Sequence, residues 1–498
     1  MNPKPMDKLD FVSSLVLTAF GIGVIVESLR LPRLDHLNVN PYTVPGIVPG
    51  LLGVLLTACG LAILIRSVLR GGWRLGLEPA EEWRQMFVDA WRMQRDHLFD
   101  PGMRGTDWTA IRDRYAPLVD RVSDRRELDD VLRQMVGELG VLHSQVRGGE
   151  YPRDTEAAEP AFLGGTFEMT QQGARITHIY RTDPELPADR APLARPGTDL
   201  RAGDIITAIN GRSVREHGDM ARALAHQAGE QVRLDYLRDG ASRSAIARPV
   251  TAGRDATLRY SDWVTGRREA VEAASSGRIG YMHIRAMGAG DIADFAREFY
   301  ANFDRDALII DVRRNRGGNI DSWIIEKLLR RAWSFWQPPG RAPYWNMQQA
   351  FRGHLVVLMD PLTYSDGETF SAGVKTLGLG PLVGQRTAGA GVWLFDTNRL
   401  LDQGLMRAAQ TPQFDAEGGW TVEGLGVDPD IEVENLPHAT FMGRDAQLER
   451  AIEEVLRAEG VRDFSAYAPG ASGPLAADFF VPDAVFERTD TELVRSFG

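Results

Sequence analysis

The sequence predicts an α/β domain in its second half, preceded by a small β-barrel, a helical segment and an N-terminal pair of apolar helices. Three observations carry this reading. From residue 278 onward, short apolar runs alternate with amphipathic segments, as buried strands and their covering helices do. Between 161 and 255, short stretches alternate in polarity every second residue and are separated by Gly-Asp and Asn-Gly turns. At the N-terminus two runs carry no charge at all, Phe11 to Val26 and Pro41 to Ile65.

The 498 residues amount to about three domains at roughly 150 residues each. With 43% hydrophobic and 25% charged residues, the chain is neither disordered, collagenous nor built on disulfides. The net charge of −11, from 57 basic and 68 acidic side chains, argues against nucleic acid as a partner, which needs a clustered basic surface. Cys59 is the only cysteine, which forbids an intrachain disulfide and a cysteine-built zinc site. Lysine is scarce: only Lys4, Lys8, Lys327 and Lys375 occur.

The second uncharged run exceeds the roughly 20 residues needed to cross a bilayer. The first has 16, and Lys8 and Arg30 can snorkel from its ends. Pro41, Pro45 and Pro49 stand at the start of the second run, where a helix tolerates proline best. A signal peptide is the rival for the first run, but Val26-Glu27-Ser28 offers no small-x-small cleavage site. A two-helix membrane hairpin over residues 1–76 is expected. Arg66, Arg70 and Arg74 follow the second span, whereas Arg30 and Arg33 in the connection are offset by Glu27 and Asp35. That balance places both termini, and the part after residue 76, in the cytoplasm. Pro32-Arg33, Pro45-Gly46 and Pro49-Gly50-Leu51-Leu52-Gly53 resemble the small membrane subunit of tripartite tricarboxylate transporters. The resemblance implies a fused anchor, since two helices offer no substrate path.

Residues 78–150 read as helices. Trp83, Phe87, Ala90, Trp91 and Gln94 recur at helical spacing, as do Leu128, Val131, Leu132 and Met135, with Ser123 or Asp124 as a cap. Tyr151 to Pro160 reads as a linker. In the region 155–255, Ala174 to Ile179 alternates as a strand, and Leu200 to Gly211 reads as turn, strand and Asn-Gly hairpin turn. From 256 to 460, Gly280–Ile284, Ala307–Val312 and Leu355–Met359 are expected as buried strands. Asp291–Phe303, Asp321–Arg331 and Gly367–Leu377 are the expected helices. Residues 461–498 form a tail with little periodicity.

Two loops at strand ends and one between later strands could carry chemistry. Asp311 to Gly318 ends in two glycines, which let backbone amides turn toward a ligand as an oxyanion hole requires. Asp360 to Thr369 places Ser365 at a helix start, where free amides stabilise a developing negative charge. Val422 to Asp430 holds Glu423 among apolar and glycine residues. Plainer readings exist: Ser365 as a helix cap with Glu368 completing a capping box, and Glu423 as a solvated surface residue.

Phe162-Leu163-Gly164-Gly165, with the Leu200–Gly211 hairpin, resembles a PDZ domain, which takes up a peptide as an added strand. That likeness implies peptide binding at Leu163, Gly164 and Gly165. With the three loops and the helical segment, the chain from about Trp83 to Glu453 resembles the tail-specific, or C-terminal-processing, serine proteases, and among them the catalytic half of tricorn protease. The resemblance implies a ClpP/crotonase-like α/β fold. It implies Ser365 as nucleophile and the amides of Gly318 (or Gly317) and Asp366 as the oxyanion hole. Most of that family use a lysine base after the serine. Here the only such lysine, Lys375, lies ten positions along the same helix, about 15 Å away and out of reach of the proton. Tricorn-type members use a histidine, which maps to His143 in Gly140-Val141-Leu142-His143-Ser144, with Glu423 orienting it. Their serine before the histidine is replaced by Leu142, so either Glu423 reaches the ring directly or through water, Ser144 substitutes, or the relay is weakened.

The function implied is a membrane-tethered serine endopeptidase that cleaves unstructured polypeptides or peptides. No cofactor or metal is expected, and no other histidine, His217 and His226 included, has metal-ligand spacing. The expected partners are a polypeptide substrate, the membrane and a second copy of the chain, since relatives assemble into hexamers. The alternative is a non-catalytic protein that binds peptides or apolar ligands on the same fold.

Overall fold

The computed structural model describes residues 8–31, 46–70, 78–151, 157–336, 338–339, 341 and 344–457. The connection carrying Pro32, Arg33, Asp35, Pro41 and Pro45, the position of Arg74, part of the expected linker (152–156) and the tail 461–498 lie outside them.

The chain divides into two units, residues 1–82 and 83–498. In the first, α1 (Lys8–Arg30) and α2 (Ile47–Arg70) pack against each other. Phe11–Arg30 and Ile47–Arg66 are each 20 residues long and apolar enough to cross a membrane. Small residues set the contact: a Cβ on Gly21 would stand 2.5 Å from Thr57 Oγ1, and one on Gly60 would overlap Thr18. Backbones come this close only where side chains are minimal, as in helix pairs within lipid. Leu51, Leu55, Val16 and Phe20 point outward, more than half exposed, as a lipid-facing surface would be.

Three helices come next, α3 (Pro79–His97), within which the second unit begins, α4 (Trp108–Val119) and α5 (Arg125–Gly137). Of the two candidate caps, Asp124 serves, accepting from the amides of Arg126 (2.7 Å) and Glu127 (3.0 Å). The short β1 (Gln145–Arg147) follows. These helices do not form a core alone. Phe87, Leu128, Leu132 and Met135 pack with Val392, Leu400 and Met406 from far along the chain.

The barrel-like domain contains β2 (Ala161–Phe162), β3 (Gly165–Thr170), β4 (Gly173–Ile179), β5 (Ile205–Ile209), β6 (Arg212–Ser213), α6 (His217–Leu224), β7 (Val232–Arg238), β8 (Ala241–Ala247) and β9 (Val250–Thr251). Its main sheet runs β3-β4-β5-β7-β8, with β6 paired to β5 and β2 to β9. Asn210 and Gly211, both at positive φ, make the expected hairpin turn.

A helix of 24 residues, α7 (Ala252–Ser275), then leads out of the domain. The sequence reading did not anticipate it and placed the domain boundary inside its first turn. Its apolar positions are sparse, with only Leu258 and Val271 fully buried. Its start is signalled by Thr251, whose side chain accepts from the Arg254 amide.

The last part holds β10 (Ile279–His283), α8 (Ile292–Asn302), β11 (Ala307–Asp311), α9 (Asp321–Leu329), the hairpin β12 (Phe335–Trp336) and β13 (Tyr344–Trp345), β14 (His354–Met359), α10 (Asp366–Thr376), β15 (Leu382–Gly384), β16 (Trp393–Phe395), β17 (Leu405–Thr411), β18 (Ile431–Glu432), α11 (Pro437–Phe441) and α12 (Ala446–Arg457). Its sheet runs β10-β11-β14-β15-β18, parallel throughout. All three expected strands and helices occur within a residue or two of their anticipated ends. A parallel sheet presents its loops after the strand C-termini on one side, which brings the loops following β11 and β14 together. The antiparallel sheet β1-β17-β16 attaches the helical segment to this domain, with Gln145 opposite Arg407 and Arg147 opposite Leu405.

Candidate active site

Ser365 stands where β14 gives way to α10. The loop before it is tied to the one after β11: Thr363 Oγ1 donates to the Val312 carbonyl (2.9 Å) and the Tyr364 amide to that of Asn315 (3.0 Å). Ser365 has φ +57° and ψ −122°. A non-glycine residue is held there only when its surroundings over-determine it, and such strain gathers at functional turns. Its N–H donates to Glu368 Oε2 at 3.0 Å, so the capping partnership expected for Glu368 is present.

The two glycines close around this serine. Gly317 has φ +79°, and a Cβ on it would lie 2.8 Å from Ser365 Oγ and 3.2 Å from the Asp366 amide. A Cβ on Gly318 would overlap the Met287 carbonyl. Met287 grips this loop as a third strand would: its N–H donates to Gly317 (2.9 Å), and its carbonyl accepts from Asn319 (2.8 Å). Among the described residues, the N–H groups of Gly318 and Asp366 have no acceptor. Two unsatisfied donors beside a strained serine are what an oxyanion site needs. The Asp366 side chain faces away from it. Its Oδ2 accepts from the amides of Ile320 (2.8 Å) and Asp321 (3.1 Å), and burial with the neighbouring Asp321 carboxyl pushes it up to about 7.

His143 reaches this place through β1, whose pairing with β17 begins two residues later. Its ring packs on Tyr364, the residue before Ser365, with centroids 4.9 Å apart. Tyr364 Oη donates to the Leu142 carbonyl, and Gln145 Nε2 donates to Tyr364 Oη, both at 3.0 Å. The structure therefore sets His143 beside the serine turn. No hydrogen bond joins the two side chains, and Nδ1 of the buried ring has no partner. Burial, then the positive charge of Arg407, lower the imidazole to about 4; the Val392 carbonyl opposes them, and Arg147 adds a smaller lowering effect. The ring is neutral near pH 7, the form able to accept a proton.

Glu423 makes no hydrogen bond to the imidazole. Its Oε2 accepts from the amides of Gly391 and Val392, each at 2.9 Å. Oε1 is buried without a hydrogen bond, and Arg104 Nη1 lies 3.7 Å away. Burial raises this carboxyl above the ordinary glutamate range. It is aimed inward by a strained γ-turn, in which the Glu423 amide donates to Thr421 (2.6 Å) across Val422 at φ +64°. Ser144 is committed elsewhere, donating to Gln94 Oε1 at 3.0 Å. Leu142 turns its side chain outward, 48% exposed. Lys375 pairs with Asp430 (3.1 Å) and the Asp428 carbonyl (2.8 Å), remote in role from the serine.

At the other expected binding position, Leu163 is buried in the barrel core. Gly164 lies against Ala191 and Pro192, and its amide faces the buried Asp255 carboxylate. Gly165 opens β3, whose outer edge has no partner among the described strands. Among the described residues, no group of three His, Cys, Asp or Glu side chains is placed to hold a metal.

Three segments of the chain match known families: residues 79–137 the tricorn protease C1 domain, 162–252 the tricorn protease PDZ domain, and 278–433 peptidase family S41. The chain belongs to peptidase family S41. It is similar to tricorn protease homolog 1 of Streptomyces coelicolor, 38% identical over 78% of this chain and 36% of that protein. Tricorn protease of Thermoplasma acidophilum is 30% identical over 78% of the chain and 36% of its own length. The crystal structure of the tricorn protease superposes with a TM-score of 0.71 at 28% identity, over 78% of this chain and 38% of that one. The chain thus spans about a third of the length of these relatives.

Within this S41 site, sequence reasoning missed several residues. Asn315 supports the glycine loop, its Oδ1 accepting from Gly317 (2.8 Å) and its Nδ2 donating to Ile284 (2.7 Å). Glu368 does far more than cap a helix, and Gln145 and Arg407 surround the histidine. Only the position of Asn315, two residues before Gly317, carried a readable signal.

Proposed function

We propose that this chain is a serine peptidase in which Ser365 attacks the scissile carbonyl and His143 accepts the hydroxyl proton. The amides of Gly318 and Asp366 receive the oxyanion, His143 returns the proton to the leaving amine, and water releases the acyl group by the same route. The observation that carries this is the strained Ser365 turn with two unsatisfied amides beside it and a neutral buried imidazole packed on Tyr364, the residue before the serine. Hydrogen bonds between nucleophile and base are often long in free enzymes and tighten with substrate. The open edge of β3 supports capture of an extended polypeptide as an added strand. The two apolar helices support a membrane tether, and the arginines after the second span support a cytoplasmic catalytic part. Labelling with a serine-directed phosphonate tests the chemistry: the wild type should react, and Ser365→Ala and His143→Ala should not. Equal labelling of wild type and Ser365→Ala would refute it.

A second reading, a non-catalytic peptide-binding protein, is favoured by one observation, the missing hydrogen bond between Glu423 and His143. Casein turnover near neutral pH that disappears in His143→Ala would exclude it. Extraction of the full chain from membranes by detergent, and not by salt or carbonate, is the expected mark of the tether.

A further inference from the structure

Between β15 and β16 the segment Gly389-Ala390-Gly391-Val392 crosses the site without regular structure, so its backbone donors need partners from elsewhere. Two carboxylates supply them in sequence. Glu368, fully buried, accepts from the amides of Gly389 (2.6 Å) and Ala390 (2.8 Å). Glu423 accepts from the next two, Gly391 and Val392. Glu368 is filled by two more donors, Thr387 Oγ1 at 2.7 Å and the Ser365 amide at 3.0 Å. Four donors match the acceptor capacity of one carboxylate.

This strap also meets the histidine. Val392 packs in the same core as Val141 and Val146, which flank His143, and its carbonyl faces the ring. Upstream, the Ala388 amide donates to Thr363 (3.1 Å), in the loop that ends at Ser365. A Cβ on Gly391 would lie 2.7 Å from Val422 Cβ and 2.9 Å from the Glu423 amide, so strap and glutamate turn are in close contact.

We propose that Glu368 is a positioning residue for this site, and that Glu368 and Glu423 together clamp the 389–392 strap so that Ser365 and His143 are held from one backbone segment. Glu423 then acts on the imidazole through Val392 and not by a hydrogen bond to it. The proposal rests on the serine peptidase reading above. Neither carboxylate takes or gives a proton in it; each holds peptide groups still.

Glu368→Gln in the full chain keeps the shape but replaces two acceptor sites with donors that face other donors. Displacements near 1 Å at a reacting group cost on the order of 10²-fold in rate, so phosphonate labelling and kcat on casein should fall by about that factor while KM changes less than about threefold. The acid midpoint of labelling should also move down, because the Val392 carbonyl favours the protonated ring. Asp402→Asn, which breaks the buried pair with Arg125 (2.6 Å) away from the strap, is the control for lost stability alone. It should label at the wild-type rate wherever circular dichroism shows it folded. Glu368→Gln labelling like that control, with an unmoved midpoint, would overturn the proposal. If Glu368→Gln does not fold, Thr387→Val removes one donor to the same carboxylate and decides the matter: a several-fold fall supports the clamp, and a wild-type rate refutes it. A wild type that does not label would instead overturn the serine reading itself.

Discussion

The acid limb of activity gives the most exacting test of the histidine's surroundings. An imidazole in water titrates near 6.5, whereas burial and two arginines bring His143 to about 4. At pH 5 a ring of ordinary affinity would be about 3% neutral, while one titrating near 4 is about 90% neutral. The labelling rate of the free enzyme should therefore be nearly flat from pH 7.5 to 5 and fall by half only near pH 4. A midpoint at 6 or above, a loss of about tenfold or more by pH 5, would refute the environment described for this ring. Stability follows with a defined sign. The folded state resists protonating His143, so this contribution is complete above 6.5 and is lost as pH falls toward 4. The full shift corresponds to about 3 kcal/mol, of which about 2 kcal/mol disappears between pH 7 and 5. His143→Gln should remove that part of the acid sensitivity in urea titrations of the full chain in detergent. Arg407→Gln should move the labelling midpoint upward, because one of the lowering charges is gone.

Further expectations come from neighbouring residues. Gly317→Ala places a methyl group against Ser365 at a positive φ; labelling should fall by about 10²-fold with the fold intact by circular dichroism. Ser144→Ala loses its bond to Gln94 and should cost about 1 kcal/mol in stability with kcat unchanged; a large fall in kcat would restore Ser144 to the relay. Asp366 titrates upward in the fold, so its ionisation costs stability as pH rises from about 4 through 7. Asp321→Asn removes the opposing charge and should raise the melting temperature at pH 8 more than at pH 5.

The residues that make the serine turn were legible because they are local. Tyr364-Ser365-Asp366-Gly367-Glu368 and Arg316-Gly317-Gly318 each combine chemistry and backbone geometry within a few positions. A parallel α/β pattern then obliges the two loops to meet. The long helix α7 was illegible for the converse reason: its exposed face leaves few apolar positions to set a period. The burial of Leu163 was also hidden, since a leucine before two glycines reads alike as loop or core.

By itself the sequence determined three strands and three helices of the last domain in their order, the two apolar N-terminal helices, and that Lys375 lies too far along one helix from Ser365 to take its proton. Only the tertiary structure decided how the residues of the site are joined. The pairing of β1 with β17 carries His143 to Tyr364 across more than two hundred residues, and the 389–392 strap links Glu368, Glu423 and the histidine. Such links run through backbone amides and carbonyls, which every residue possesses. Their partners are selected by packing between distant segments and leave no trace in side-chain spacing.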